Sequence, residues 1–150
     1  MTFNASSAEP VRQSTAVIGA GSIGTAWAIV FATAGLPVRL HDADPARLKA
    51  AAAIIAGRLA ELARHGLIDE APDDVAARIV NHPALGAAVA GAAYIQECAP
   101  ESLELKQALF AELDRLAAGD AVLASSSSFL PASRFARGRP AHGLWCPWCP

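Results

Sequence analysis

Along the chain, short apolar runs of strand length alternate with longer segments whose apolar residues recur at helical spacing. A parallel sheet covered by helices requires that alternation, so the pattern predicts a doubly wound α/β fold. The first strand is predicted over residues 14–18. The helix after it is expected to bury the stripe Ile23, Trp27, Val30, Phe31 and Ala34 and to stop at Gly35. A second strand follows at Val38–His41. Asp44 reads as an N-cap with Pro45 at the first helical position, opening an alanine-rich helix to about Arg64 that Gly66 ends.

Residues 69–74 are acidic and contain Pro72, which predicts a loop, with room for a short helix before a strand around Ile79 and Val80. A brief helix over 83–89 precedes a fourth strand over 93–98, apolar almost throughout as a central parallel strand should be. A helix over 101–118 is expected to turn Leu105, Leu109, Leu113 and Leu116 inward and Glu104, Glu112 and Arg115 outward, before a strand over 121–124. The periodicity then stops. Residues 138–150 hold three prolines, two tryptophans and two cysteines, and do not read as core. The expected organisation is a disordered segment 1–12, one domain over 13–136, and an irregular tail 137–150 left by truncation or a shifted reading frame.

Composition narrows the function. A chain of 150 residues with 53% hydrophobic content can bury one core. Twelve Lys+Arg against 14 Asp+Glu leave a net charge of -2, so neither nucleic acid nor an anionic membrane is the expected partner, and a small molecule is. The longest apolar stretches, such as 25–35, fall short of the roughly 20 residues that cross a bilayer. The first dozen residues lack the basic start and apolar run of a secretory signal, which makes the cytoplasm the default compartment. Three cysteines, one of them Cys98 in an apolar run, suit a reduced thiol better than a disulfide framework.

The candidate chemistry begins with Gly19-Ala20-Gly21-Ser22-Ile23-Gly24, placed at a strand end and opening a helix. In that context the glycines have separate duties: Gly19 for a tight turn, Gly21 for close approach to a pyrophosphate, Gly24 for helix–strand packing. Ser22 and Ile23 would offer backbone N–H groups at the positive end of the helix. Asp42 ends the second strand, 18 residues past Gly24, where a carboxylate can accept both hydroxyls of an adenosine ribose and repel a 2′-phosphate. The cofactor is therefore expected to be NAD bound to a Rossmann-type sheet. Arg39 and Arg47 nearby leave NADP as the lesser option.

Val17 to Gly24, then Ile95-Gln96-Glu97-Cys98-Ala99-Pro100-Glu101, then Ala124-Ser125-Ser126-Ser127-Ser128 together resemble the 3-hydroxyacyl-CoA dehydrogenase family across residues 16–135. The Gln-Glu-Cys run and the serine cluster look most like its L-gulonate 3-dehydrogenase and lambda-crystallin branch. The resemblance implies that Glu101 and Lys106 line the nicotinamide side of the NAD site and that Ser128 is the catalytic serine holding the substrate oxygen. Ser126 stands where relatives often carry a cofactor-contacting asparagine. Lys106 also falls in the first turns of its helix, where a cation opposes the macrodipole, so a role outside helix stability is expected for it.

Family chemistry is hydride transfer from a secondary alcohol to NAD, with a histidine as base held by a glutamate, both C-terminal to the serine. The implied substrates are hydroxy acids or hydroxyacyl-CoA thioesters, and complete relatives are expected to be homodimers carrying a further helical domain. His142 lies 14 residues past Ser128, but Gly143 and Trp145 replace the proline and asparagine of the family's histidine segment, which argues against His142 as the base. His41, His65 and His82 read as surface or strand-end imidazoles. Cys146 and Cys149 form a Cys-x-x-Cys without the helix a redox dithiol needs or the four ligands zinc wants, so no metal is expected. An NAD-binding remnant without turnover is the alternative to an active dehydrogenase. A flavin or S-adenosylmethionine enzyme is a weaker third, since neither accounts for Glu101, Lys106 and the serines together.

Overall fold

A computed structural model of the chain describes residues 14–136 together with the backbone of Leu144–Trp145. Six strands, numbered in chain order, form one parallel sheet: β1 (Thr15–Ile18), β2 (Val38–His41), β3 (Ile79–Asn81), β4 (Tyr94–Glu97), β5 (Val122–Ser125) and β6 (Leu144–Trp145). Between them run α1 (Ser22–Thr33), α2 (Pro45–Arg64), α3 (Pro72–Ala76), α4 (Leu85–Val89), α5 (Leu103–Leu116) and α6 (Ala132–Phe135). The spatial order β3-β2-β1-β4-β5-β6 means the chain builds outward from β1 to β3, then returns to start β4 on the other side of β1. That reversal opens a crevice at the carboxyl ends of β1 and β4, the place where such sheets bind ligands.

Successive side chains of β1 point to opposite faces, so each face has its own core. Ala16 and Ile18 pack with Ile95, Leu123, Val89, Phe110, Leu113 and Phe135. Val17 packs with Leu40, Ala28, Ile29, Ala32, Leu48, Ile55 and Leu59. The caps read from sequence are present: Asp44 Oδ1 accepts the Ala46 N–H at 2.9 Å with Pro45 beside it, and Gly35 and Gly66 follow their helices at φ 80° and 65°.

Several expectations need correction. The buried face of α1 is Gly24, Thr25, Ala28, Ile29 and Ala32, small along most of its length because a helix leaving a tight glycine turn lies close to the sheet. Ile23 and Val30 are 56% and 53% exposed and line a groove of about 630 Å³ between α1 and α2, while Trp27 and Phe31 are half-buried. On α5 the buried residues are Lys106, Phe110 and Leu113, with Leu109 and Leu116 packed against the same core as expected; Leu105 alone of the four leucines is turned out, 42% exposed, and Lys106 beside it takes the inward site. Pro72 starts α3 instead of lying in a loop, as a proline at N1 can. The segment read as irregular contains β6, paired with β5. The expectations for residues 1–12, for the rest of 137–150, and for His142, Cys146 and Cys149 fall outside the described residues. Among the described residues no helix is long and apolar enough to cross a membrane.

Candidate dinucleotide-binding site

The turn between β1 and α1 is built around backbone contacts that admit no side chains. Gly19 has φ 110°, and a Cβ there would lie 2.6 Å from the Cys98 carbonyl oxygen. A Cβ on Gly24 would lie 1.7 Å from the Gly19 carbonyl oxygen, so only glycine lets the helix begin where it does. Gly21 differs: its backbone is extended, and a Cβ would meet nothing within 4 Å. That open space lies against the start of α1, which has no side-chain cap and no acidic residue in its first turn. The first helical bond runs from the Thr25 N–H to the Gly21 carbonyl, which leaves the amides of Ser22, Ile23 and Gly24 without intrahelical acceptors. Free amides at the positive end of a helix, with no carboxylate in its first turn, suit an anion such as a diphosphate.

Asp42 is tied to the same turn. Its Oδ2 accepts the Ala20 N–H at 2.7 Å and its Oδ1 accepts the Asp44 N–H at 2.8 Å. Each oxygen keeps a lone pair for a ribose hydroxyl. Of the two arginines that left NADP open, Arg39 donates to the Ala90 carbonyl, while Arg47 is exposed with its Nε 3.7 Å from Asp44. Arg58 of α2 donates to the Ser22 carbonyl at 3.0 Å and to Thr25 Oγ1 at 2.8 Å, tying α2 to the first turn of α1.

On the far side of β1, the ends of β4 and β5 carry a buried polar network. Lys106 Nζ donates to both Glu97 oxygens at 2.8 and 2.9 Å, with both side chains 1% exposed. Glu97 also accepts the Ala99 N–H at 2.7 Å and the Ser125 hydroxyl at 2.5 Å. Ser125 Oγ in turn accepts the Ser127 N–H at 3.1 Å. The Ser127 hydroxyl meets Glu101 Oε1 at 2.6 Å, and that oxygen also accepts the N–H groups of Phe129 and Leu130 at 2.9 and 3.0 Å. Burial pushes the Glu101 carboxyl up, but the Ser127, Phe129 and Leu130 hydrogen bonds and the Lys106 charge outweigh it and hold the group at about 2.

The serine cluster therefore divides by alternation. Ser125 and Ser127 are buried and serve the network, while Ser126 is half-buried and Ser128 is exposed. The Lys106 ammonium faces inward onto Glu97, since a buried carboxylate demands a cation. Glu101 is exposed just past β4, with one oxygen committed to the Ser127 hydroxyl and the Phe129 and Leu130 amides. Sequence reasoning missed the roles of Gln96, Glu97, Ser125 and Ser127. The available signal was a Gln-Glu pair in a central parallel strand that should be uniformly apolar. Cys98 is a half-buried free thiol, pushed up to about 11 by burial against the lowering effect of the Ser126 hydrogen bond, and so stays protonated. Among the described residues no group of three or more His, Cys, Asp or Glu is placed to hold a metal ion.

Fold, glycine cradle and acid together define a dinucleotide-binding domain. The sequence profile of the "3-hydroxyacyl-CoA dehydrogenase, NAD binding domain" family matches residues 14–142, and the chain belongs to that family through this NAD-binding domain. Similar proteins include a lambda-crystallin homolog from Bos taurus, 38% identical over 87% of this chain and 41% of its own length. An L-carnitine dehydrogenase from Streptomyces griseus is 37% identical over 82% of this chain and 36% of its own length. Among solved structures, 3-hydroxybutyryl-CoA dehydrogenase from Escherichia coli K12 superposes with a TM-score of 0.81 at 28% identity, over 89% of this chain and 29% of that one. The chain spans less than half the length of each of these relatives.

Proposed function

We propose that the chain forms the NAD-binding half of an oxidoreductase that passes a hydride between NAD and the secondary alcohol carbon of a 3-hydroxy acid or 3-hydroxyacyl-CoA. One observation carries this function: Asp42 and the glycine turn form a single hydrogen-bonded unit, with Ala20 donating to Asp42 Oδ2 while the amides of Ser22 and Ile23, at the exposed start of α1, have no intrahelical acceptor. Gly19 and Gly24 hold the turn closed, Gly21 leaves space for the diphosphate, and Asp42 takes the adenosine ribose and repels a 2′-phosphate.

NAD, when bound, supplies the hydride acceptor. Ser126 and Glu101 stand on the nicotinamide side, and Lys106 acts there through Glu97. Ser128, exposed at the end of β5, holds the substrate oxygen by its hydroxyl. The names of the carnitine and 3-hydroxybutyryl-CoA dehydrogenases both describe compounds with a hydroxyl two carbons from a carboxyl or thioester, which supports that substrate class; the lambda-crystallin relatives favour a free acid such as L-gulonate within it. Calorimetric titration with NADH and NADPH tests the cofactor: NADH binding well above NADPH is expected, and no heat with NADH overturns the function. Turnover of L-gulonate, L-carnitine and 3-hydroxybutyryl-CoA by the full-length protein then separates the substrates.

A further inference from the structure

Gln96 is a buried amide in the middle of the sheet, 2% exposed, and the Glu97 carbonyl beside it fixes which way it points. The Tyr94 hydroxyl donates to Gln96 Oε1 at 3.0 Å. The opposite end of the amide faces Ser126 Oγ at 2.8 Å and, more distantly, the Glu97 carbonyl oxygen at 3.5 Å. A carbonyl oxygen can only accept, so the end of Gln96 turned toward it must be the NH₂ group. Ser126 Oγ is therefore an acceptor from Gln96. A hydroxyl has one hydrogen, and this contact leaves that hydrogen unspent. The other close group is the Cys98 thiol at 3.4 Å, where either atom can donate; sulfur is a weak acceptor, so an oxygen in the crevice competes for the serine hydrogen with advantage.

Ser126 sits where the crevice needs a donor. Its N–H is bonded to the Glu97 carbonyl at the end of β4, and β4 and β5 lie on the opposite side of β1 from β2 and Asp42. A dinucleotide with its ribose on Asp42 and its diphosphate on α1 continues toward Cys98 and Ser126. We propose that Gln96 is a positioning residue that makes the half-exposed Ser126 hydroxyl an obligate hydrogen-bond donor to an acceptor oxygen on the nicotinamide riboside half of the cofactor. This rests on the assignment of the crevice to NAD and adds the polarity of one contact in it.

The test compares NADH with ADP, which lacks the nicotinamide riboside, by titration of the chain and its variants. Ser126→Ala is expected to weaken NADH about fivefold, the worth of one neutral hydrogen bond, and to leave ADP unchanged. Gln96→Glu places an acceptor where the NH₂ group was, so the serine hydrogen turns inward and NADH affinity falls by at least the same factor, again with ADP unchanged. Adding Ser126→Ala to Gln96→Glu then costs nothing further. Should Gln96→Glu fail to fold, Gln96→Met removes the amide at similar volume and is expected to weaken NADH alone. Equal losses for NADH and ADP, multiplicative losses in the double variant, or unchanged NADH binding in Ser126→Ala would each overturn the inference while the NAD assignment stands. Binding of neither ligand by the unaltered chain removes both.

Discussion

The Lys106 ammonium and the Glu97 carboxylate form a two-pronged ion pair inside the domain, nine residues apart in sequence and 1% exposed on each side. Glu97 ends a central strand and Lys106 lies in the second turn of the helix that follows, so the pair fixes α5 against β4 beneath the crevice. Two further donors, Ala99 N–H and Ser125 Oγ, complete the carboxylate's hydrogen bonding. Removing one partner leaves an uncompensated buried charge. Lys106→Met is therefore expected to cost about 3–5 kcal/mol in urea unfolding, and adding Glu97→Gln to recover much of it. A double variant no more stable than Lys106→Met would show that the pair is not the origin of the loss.

Two glycines three residues apart should respond in opposite ways. Gly24→Ala drives a Cβ onto the Gly19 carbonyl, a backbone atom that cannot move without opening the turn, and is expected to destabilise by about 3 kcal/mol or more. Gly21→Ala enters open space in an extended backbone, so its cost to stability should be about 1 kcal/mol or less. The same methyl occupies the volume meant for the diphosphate. Thermal melting with and without NADH checks both: Gly21→Ala should melt near the unaltered chain but lose the rise in Tm that NADH gives. A retained NADH-dependent rise in that variant would place the diphosphate elsewhere.

What the sequence made legible was local. The glycine turn, the Asp44 and Pro45 start of α2 and the acid at position 42 each depend on neighbouring residues, and all appear in the structure where expected. Faces were harder. A helix packed tightly on a sheet selects small residues, so the large apolar residues Ile23 and Val30 mark the outside of α1. Lys106 counts as polar in any periodicity, yet it is inward because a glutamate nine residues earlier needs it. Whether Ser125 or Ser126 faces the crevice depends on the register of β5 against β4, Glu97 opposite Ser125, which no run of four serines can disclose.

Glu101 supplies a dependence on pH with a definite sign. Its folded-state carboxyl is held at about 2, below the ordinary value of 4.5, by Ser127 and the Phe129 and Leu130 amides acting against burial. A group depressed in the folded state stabilises it above its unfolded value and loses that contribution as pH falls from about 4.5 toward 2. The group is exposed, so screening reduces the size of the effect. Urea midpoints measured between pH 6 and pH 2.5 should therefore fall more steeply for the unaltered chain than for Glu101→Gln, which keeps the acceptor oxygen and has no charge to lose. Parallel curves would mean that Glu101 does not tether the 127–130 backbone through its charge.

Asp42 has two duties that one substitution can separate. Asp42→Asn keeps one oxygen for the buried Ala20 N–H and gives up only the bond from the exposed Asp44 N–H, which water can replace, so the turn should hold at a small cost in stability. It removes the negative charge that strengthens hydrogen bonds from ribose hydroxyls and repels a 2′-phosphate. Loss of charge-assisted bonding is worth about 1.5–3 kcal/mol, or roughly 10- to 150-fold in NADH affinity, while NADPH binding should hold or improve. Asp42→Ala additionally strands the Ala20 and Asp44 amides and should lower the melting temperature as well. Calorimetry with both nucleotides on both variants resolves the two effects. Equal losses for NADH and NADPH in Asp42→Asn would mean that position 42 supports the turn without reading the sugar.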